Sequence, residues 1–308
     1  MKTRELSRRE FFTRTAAVAG SVLIAPAMAR AAAAAAGGSV KRTAADQVTL
    51  GKTGIKISRL GMGTGSKNGN VQRALGQDGF NRLVRYAYDQ GITYIDSADS
   101  YHMHSFIANA IKGLPREKLF LQTKIEATSE EPLAALDRFR KELGVEYIDS
   151  VLVHCMVKKD WDEQRKRTLD GLQEAKDKKI IRAHGVSTHS LPALKRSAEL
   201  DWVDVHLVRI NAQGAVMDTA EEVAFGHSDA SSVQPVVDQL KLVRQKKHGV
   251  IGMKLIGDGT FVNAEDREKA IRFVMQQDVT DAVVIGFKSP AEIDEAISRI
   301  NSALAVSA

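Results

Sequence analysis

The chain has 308 residues, 44% hydrophobic and 27% charged, with a formal net charge of +6. That apolar content supplies a large core, and the length beyond an N-terminal stretch of about 45 residues suits one α/β barrel as readily as two smaller domains. Part of the positive excess lies at Lys2, Arg4, Arg8, Arg9, Arg14 and Arg30, and basic residues elsewhere mix with acids, as in Lys158-Lys159-Asp160, so no nucleic-acid surface is indicated. The single cysteine, Cys155, excludes an intrachain disulfide and a cysteine-held cluster.

Residues 1–36 read as an address and linker. Ser7-Arg8-Arg9-Glu10-Phe11-Phe12 precedes a moderately apolar stretch from Thr15 to Met28, with small residues at Ala27-Met28-Ala29. A charged start, a short apolar run and a small-residue cleavage site make a secretory signal peptide. The paired arginines followed by two phenylalanines resemble the bacterial twin-arginine translocation type. Gly20, Ser21 and Pro26 interrupt the run, which is shorter than the roughly 20 apolar residues of a membrane span. The expectation is export by the twin-arginine machinery to the periplasm, with no stable membrane insertion of the mature chain.

From about residue 46 to 308 the pattern is that of one folded unit. Val48–Ser58 predicts a β-hairpin turning at Lys52-Thr53-Gly54. Strands are then expected at Arg59–Thr64, Thr93–Asp96, Leu119–Lys124, Ser150–His154, Ile181–Ser187, Val203–Val208, Val250–Lys254 and Ala282–Gly286. Between them, Phe80–Asp89, Glu131–Leu143, Trp161–Lys178, Leu191–Leu200, Val233–Lys247 and Glu265–Gln276 space their apolar residues by three and four, as helices covering a sheet do. A last helix starts at Ser289-Pro290-Ala291-Glu292, with Ser289 as cap and Glu292 closing a capping box. Alternating strands and helices imply parallel strands. Eight repeats, and no G-x-G-x-x-G after the first strand, favour a (β/α)8 TIM barrel whose N-terminal hairpin could plug one mouth.

Reactive residues of such a barrel belong at the C-terminal ends of its strands. Asp96 closes the second strand and Tyr101 follows in its loop; Lys124 ends the third and His154 the fourth. An unpaired buried charge is costly, so Asp96 and Lys124 are expected to pair. The ammonium would then lower the Tyr101 pKa, and a neutral His154 could orient a carbonyl oxygen. Together they could donate a proton to oxygen while hydride reaches carbon. Singly, each has a plainer reading: Asp96 as a loop acceptor, His154 as a core residue, Lys124 paired with Glu126 or Glu130, Tyr101 as packing. His102, His104 and His189 could shape the substrate mouth, with exposure in loops as the plainer reading, and Trp161 and Gly226–Ser232 read as loops over the mouth. No metal site is indicated by the histidine spacing.

Arg59-Leu-Gly-Met-Gly-Thr64, Gly91-Ile-Thr-Tyr-Ile-Asp-Ser-Ala-Asp-Ser-Tyr101, Thr123-Lys124 and Val153-His154 resemble the aldo-keto reductases in order and spacing, from about Val48 onward. The resemblance implies that Asp96, Tyr101, Lys124 and His154 match that family's catalytic quartet. It also implies an NADP or NAD cofactor and no metal. It points to Gly63, Thr64, Ser187, Thr188, Asn211, Gln213, Met253, Lys254, Lys288 and Ser289 as cofactor-binding positions. Thr188 stands where Asn is usual and Met253 where an aromatic ring is usual. Lys288 favours a 2′-phosphate, and Asp294 opposes it. The activity implied is reversible NAD(P)(H)-dependent reduction of an aldehyde, ketone or sugar carbonyl. A sugar oxidoreductase or epimerase with tightly held nucleotide and a non-catalytic nucleotide- or ligand-binding barrel stay open.

Overall fold

The alternation along the chain produces eight strands that each feed a crossover and return parallel to their neighbour. In the computed structural model, which describes residues 42–126 and 131–306, these are β3 (Leu60–Gly63), β4 (Tyr94–Asp96), β5 (Phe120–Ile125), β6 (Ile148–Met156), β7 (Ile181–Thr188), β8 (Val205–Arg209), β9 (Gly249–Met253) and β10 (Ala282–Gly286). They close as β10-β3-β4-β5-β6-β7-β8-β9. Ahead of them β1 (Gln47–Thr49) and β2 (Lys56–Ser58) pair antiparallel, turning through a 3-10 turn at Gly51–Thr53 and the left-handed Gly54. The proposed leader at 1–36, with Arg8 and Arg9, lies outside the described residues.

Period two sorts the strand residues. Tyr94, Phe120, Leu152, Ala183, Val205, Leu207, Ile251, Met253, Ala282 and Val284 face the barrel interior, where Leu50, Ile55 and Ile57 of the hairpin pack against them. The Lys52 amide donates to the Lys247 carbonyl at 2.7 Å, and the Gly51 amide to Asp281 Oδ2 at 3.2 Å. Both acceptors precede strand N-termini, so the hairpin plugs that mouth and leaves the other for chemistry. The intervening residues face the helix layer: α1 (Asn70–Arg73), α2 (Gly76–Asp89), α3 (His104–Ile111), α4 (Pro132–Leu143), α5 (Trp161–Gln164), α6 (Lys166–Asp177), α7 (Leu191–Glu199), α8 (Val233–Gln245), α9 (Ala264–Gln277) and α10 (Pro290–Val306).

Helix α3 was not anticipated, because eight residues opening on two polar side chains carry little periodicity. The helix expected over Trp161–Lys178 breaks at Arg165, and Trp161 is 1% exposed in the core rather than in a loop over the mouth. At α10 the cap forms as expected, the Glu292 amide donating to Ser289 Oγ at 3.4 Å. The Glu292 carboxylate reaches one residue further back than a capping box, to the Lys288 amide at 2.9 Å.

Gly61 shows how tightly the interior is filled. A Cβ there would lie 2.1 Å from Tyr94 Cδ1, and Tyr94 is fully buried. The Tyr94 hydroxyl in turn accepts from Gln122 Nε2 at 2.9 Å, so its ring has no free direction of retreat. Overpacking of this kind costs about 3 kcal/mol or more. We expect Gly61→Ala to lower the thermal unfolding midpoint by roughly 6–12 °C, followed by circular dichroism. An unchanged midpoint would show that the Tyr94 ring is not held in place.

Candidate active site

At the open mouth the inward positions turn polar, and burial forces them to pair. Asp96, Gln122 and Lys124 are 5%, 2% and 1% exposed. Lys124 Nζ donates to Asp96 Oδ2 at 2.8 Å and to the Ser97 carbonyl at 2.7 Å, while Gln122 Nε2 donates to Asp96 Oδ1 at 2.9 Å. The ion pair expected from the sequence is therefore formed, with Gln122 as a partner the sequence reading missed. Thr64 Oγ1 donates to the Asp96 carbonyl at 2.9 Å and lies 3.1 Å from Ser97 Oγ, tying the end of β3 to that of β4.

Tyr101 ends a 3-10 turn, Asp99–Tyr101, after β4. Three features fix it there. Arg138 of α4 holds Asp99 through two hydrogen bonds, at 2.9 and 2.7 Å. Arg73 of α1 donates to the Tyr101 carbonyl. Gly65 lies flat against the ring: a Cβ would fall 2.5 Å from Cε2 and 2.9 Å from the hydroxyl. A second chain of contacts leads from β5, where Thr123 Oγ1 meets His104 Nε2 at 2.7 Å, through His104 Nδ1 and Glu142 at 2.8 Å, to Arg138 at 3.0 Å. His104 is thus 3% exposed and structural, where the sequence suggested an exposed loop residue.

The Tyr101 hydroxyl lies 3.5 Å from His154 Nε2, and His154 Nδ1 lies 3.3 Å from Glu126 Oε1. His154 is aimed by an irregularity in the β6–β7 pairing between Val153 and Met156, where Cys155 takes φ +61°. Glu126 belongs to His154 rather than to Lys124, and the hydrogen bond from His154 is the main reason its carboxyl is held below the usual range. One expectation is corrected. Lys124 Nζ lies 5.0 Å from the centre of the Tyr101 ring, already engaged by Asp96 and Ser97, and the phenol is not lowered. Burial, then the Asp96 charge, push the Tyr101 hydroxyl well up, so it remains a protonated phenol. Burial likewise pulls the Lys124 ammonium down, against the opposing pull of Asp96.

The positions expected to hold a cofactor divide. Gly63, Thr64, Ser187, Thr188 and Met253 lie at the mouth ends of β3, β7 and β9. Ser187 Oγ is buried with no hydrogen-bond partner among the described residues, an orphan hydroxyl that fits a carboxamide. Thr188 Oγ1 donates to Asp218 Oδ2 at 3.4 Å. Asn211 is engaged within the protein: its amide donates to the Ala215 carbonyl at 2.7 Å and the Lys254 carbonyl at 3.3 Å, bracing the loops after β8 and β9. Gln213 Nε2 is bound to the Asp266 carbonyl at 2.9 Å, though its Oε1 is buried without a partner among the described residues. Lys254, at φ +60°, pairs with Asp258 at 2.7 Å. Lys288 is exposed with its ammonium 3.6 Å from Glu292, and Asp294 accepts from the Tyr86 hydroxyl at 2.7 Å.

The residue the sequence reading passed over is Arg209, which ends β8 opposite Met253 and is 1% exposed. Its guanidinium binds Asp218, the His189 carbonyl, and the Ala224 carbonyl at 2.8 Å. Burial pushes the Asp218 carboxyl up to about 6, against the pull of Arg209. The only signal in the sequence was a charge in the last position of an apolar strand. Among the described residues, no group of His, Cys, Asp or Glu is placed to hold a metal ion, and no helix is long and apolar enough to cross a membrane.

Comparison with known proteins gives the family and the fold. The family model described as "Aldo/keto reductase family" matches residues 59–270. A 9,11-endoperoxide prostaglandin H2 reductase of Trypanosoma cruzi is 33% identical over 156 residues, 47% of this chain and 50% of the relative. An NADH-specific methylglyoxal reductase of Escherichia coli is 26% identical over 210 residues, 57% of this chain and 61% of the relative. The chain thus spans about half the length of the curated relatives it matches. Its fold is that of the solved holo structure of aldo-keto reductase AKR11C1 from Bacillus halodurans, at a TM-score of 0.64 and 18% identity, covering 85% of this chain and 96% of that one. With the family model spanning the barrel from β3 into α9, the chain belongs to the aldo/keto reductase family.

Proposed function

We propose that this protein is an NAD(P)(H)-dependent oxidoreductase that interconverts a carbonyl compound and its alcohol, with Tyr101 as the general acid and base. The observation that carries this reading is the Tyr101 hydroxyl held 3.5 Å from His154 Nε2 above the buried Asp96–Lys124 pair. A protonated phenol at this position can give its proton to a carbonyl oxygen. His154, steadied by Glu126, orients the carbonyl oxygen beside it. Lys124 fixes positive charge beneath the ring and stabilises negative charge growing on the phenolic oxygen as the proton leaves. Asp96 and Gln122 keep that ammonium in place. In the reverse direction the same oxygen receives the alcohol proton.

The nicotinamide, when bound, supplies or accepts the hydride. Ser187 and Thr188 would hold its carboxamide, with Gly63, Thr64, Gln213 and Met253 beside it. Met253 is 8% exposed, and its polarisable thioether can cover a flat ring. The preference falls on NADP(H), because the exposed Lys288 ammonium can take a charge-assisted contact with a 2′-phosphate. The carboxylate of Asp294, which opposes that contact, is bound to Tyr86.

The Arg8-Arg9 leader leads us to propose export as well. Three outcomes are expected. Tyr101→Phe should lower kcat at least ~100-fold in steady-state assays, with nucleotide binding by fluorescence titration intact; near-normal turnover would remove Tyr101 from the chemistry. The dissociation constant of NADP(H) should lie below that of NAD(H), and Lys288→Ala should erase the difference; a tighter NAD(H) complex in the wild type would reverse the preference. Lys at both Arg8 and Arg9 should leave full-length protein in the cytoplasmic fraction, and normal processing of that variant would rule out the twin-arginine route.

A further inference from the structure

A file of four rings crosses the mouth. Tyr101 and His154 meet edge to face with centres 5.6 Å apart, His154 and His189 at 6.5 Å, and His189 and Phe225 at 6.5 Å. The first two belong to the proton-transfer site. The other two lie outside the proton-transfer set. Phe225 is 79% exposed on its loop, with one ring edge against His189 and the rest of its apolar surface open. His189 is 8% exposed, yet its Nδ1 has no hydrogen-bond partner among the described residues. Buried polar atoms are nearly always satisfied, so an orphan beside a reactive site calls for a partner that arrives with the ligand.

Both positions are also held. The His189 amide donates to the Met156 carbonyl at 2.8 Å, and the His189 carbonyl accepts from Arg209. The same guanidinium takes the Ala224 carbonyl at 2.8 Å, one residue before Phe225. Arg209 is anchored in turn by Asp218. A single buried arginine therefore sets the spacing between an unpaired imidazole and an exposed ring. Such bracing is what a selective binding surface needs, because side chains that must be ordered on binding weaken it.

We propose that His189 and Phe225 form the part of the substrate site beyond the reacting carbonyl, and that they select hydroxylated carbonyl compounds of sugar type. A hydroxyl on a carbon near the carbonyl hydrogen-bonds the His189 imidazole, and the C–H face of a longer polyol or ring rests on Phe225. Burial and the nearby Arg209 charge keep His189 neutral, so the ring offers one donor and one acceptor, which matches a hydroxyl. A site built around such a contact discriminates strongly against an analogue lacking the hydroxyl, because its polar group is then left unpaired.

This inference rests on the carbonyl-reductase reading, and the test separates the two. Full-length protein is assayed with NADPH and NADH on glyceraldehyde and on propionaldehyde, which lacks both of its hydroxyls. In His189→Phe, which keeps a ring but no hydrogen bond, the ratio of kcat/KM for the two substrates should fall at least tenfold in favour of propionaldehyde. His189→Gln should restore most of the ratio. Phe225→Ala should raise KM for an open or cyclic hexose more than for glyceraldehyde, and should weaken hexose binding seen by saturation-transfer NMR. Wild-type turnover with an unchanged ratio in His189→Phe overturns this inference alone. Absence of turnover on every aldehyde with either nucleotide overturns the carbonyl-reductase reading and this inference with it.

Discussion

A closed eight-stranded barrel has an interior that only side chains can fill, and everything else in this protein follows from how that space is occupied. Apolar side chains of the strands and hairpin fill it from the plugged end. Toward the open end the inward positions become Gln122, Asp96 and Lys124, buried almost as completely as the core beneath them. A charge cannot remain unpaired there, so Lys124 and Asp96 bind each other, and Gln122 links the pair down to Tyr94. The reactive layer is thus continuous with the packed core, and its geometry is as rigid as the barrel.

That rigidity extends to the loops through a few strained or clamped points. Cys155 takes positive φ within the mouth end of β6, Lys254 immediately beyond β9, and His102 directly after the 3-10 turn that carries Tyr101. For residues with a side chain this conformation costs energy and persists where surrounding contacts over-determine it. Here it redirects the chain at three places around the mouth: after Tyr101, after His154 and after Met253. Arg209 adds a clamp across the loops that follow β7 and β8.

The eight strands were legible because burial on both faces of a parallel sheet demands short apolar runs, which are hard to mistake when helices separate them. Asp96, Lys124 and His154 were legible because ionisable residues end those runs at corresponding places, and Tyr101 because it follows in the loop after Asp96. Gln122 and Gly65 were not, since an amide inside a strand and a glycine in a loop look ordinary until the ring or carboxylate they touch is placed. Asn211, which only the family resemblance singled out, shows in the structure a further task that the sequence did not display, as a strut for the backbone of two loops. His189 was read as exposed because nothing in the sequence fixed it at the mouth; its contacts with His154 and Phe225 come from distant parts of the chain.

By itself, then, the sequence determined the barrel, the plugging hairpin, and the meeting of four ionisable residues at consecutive strand ends, because periodicity and the cost of burying charge act locally along the chain. What it left to the tertiary structure was the electrostatic balance among them. Lys124 near Tyr101 suggested a lowered phenol, yet the ammonium is committed to Asp96 and the Ser97 carbonyl, and burial raises the hydroxyl instead. Which partner claims a charge, and how far water is excluded from a neighbouring group, depend on distances between residues far apart in sequence. Those distances exist only once the barrel has closed.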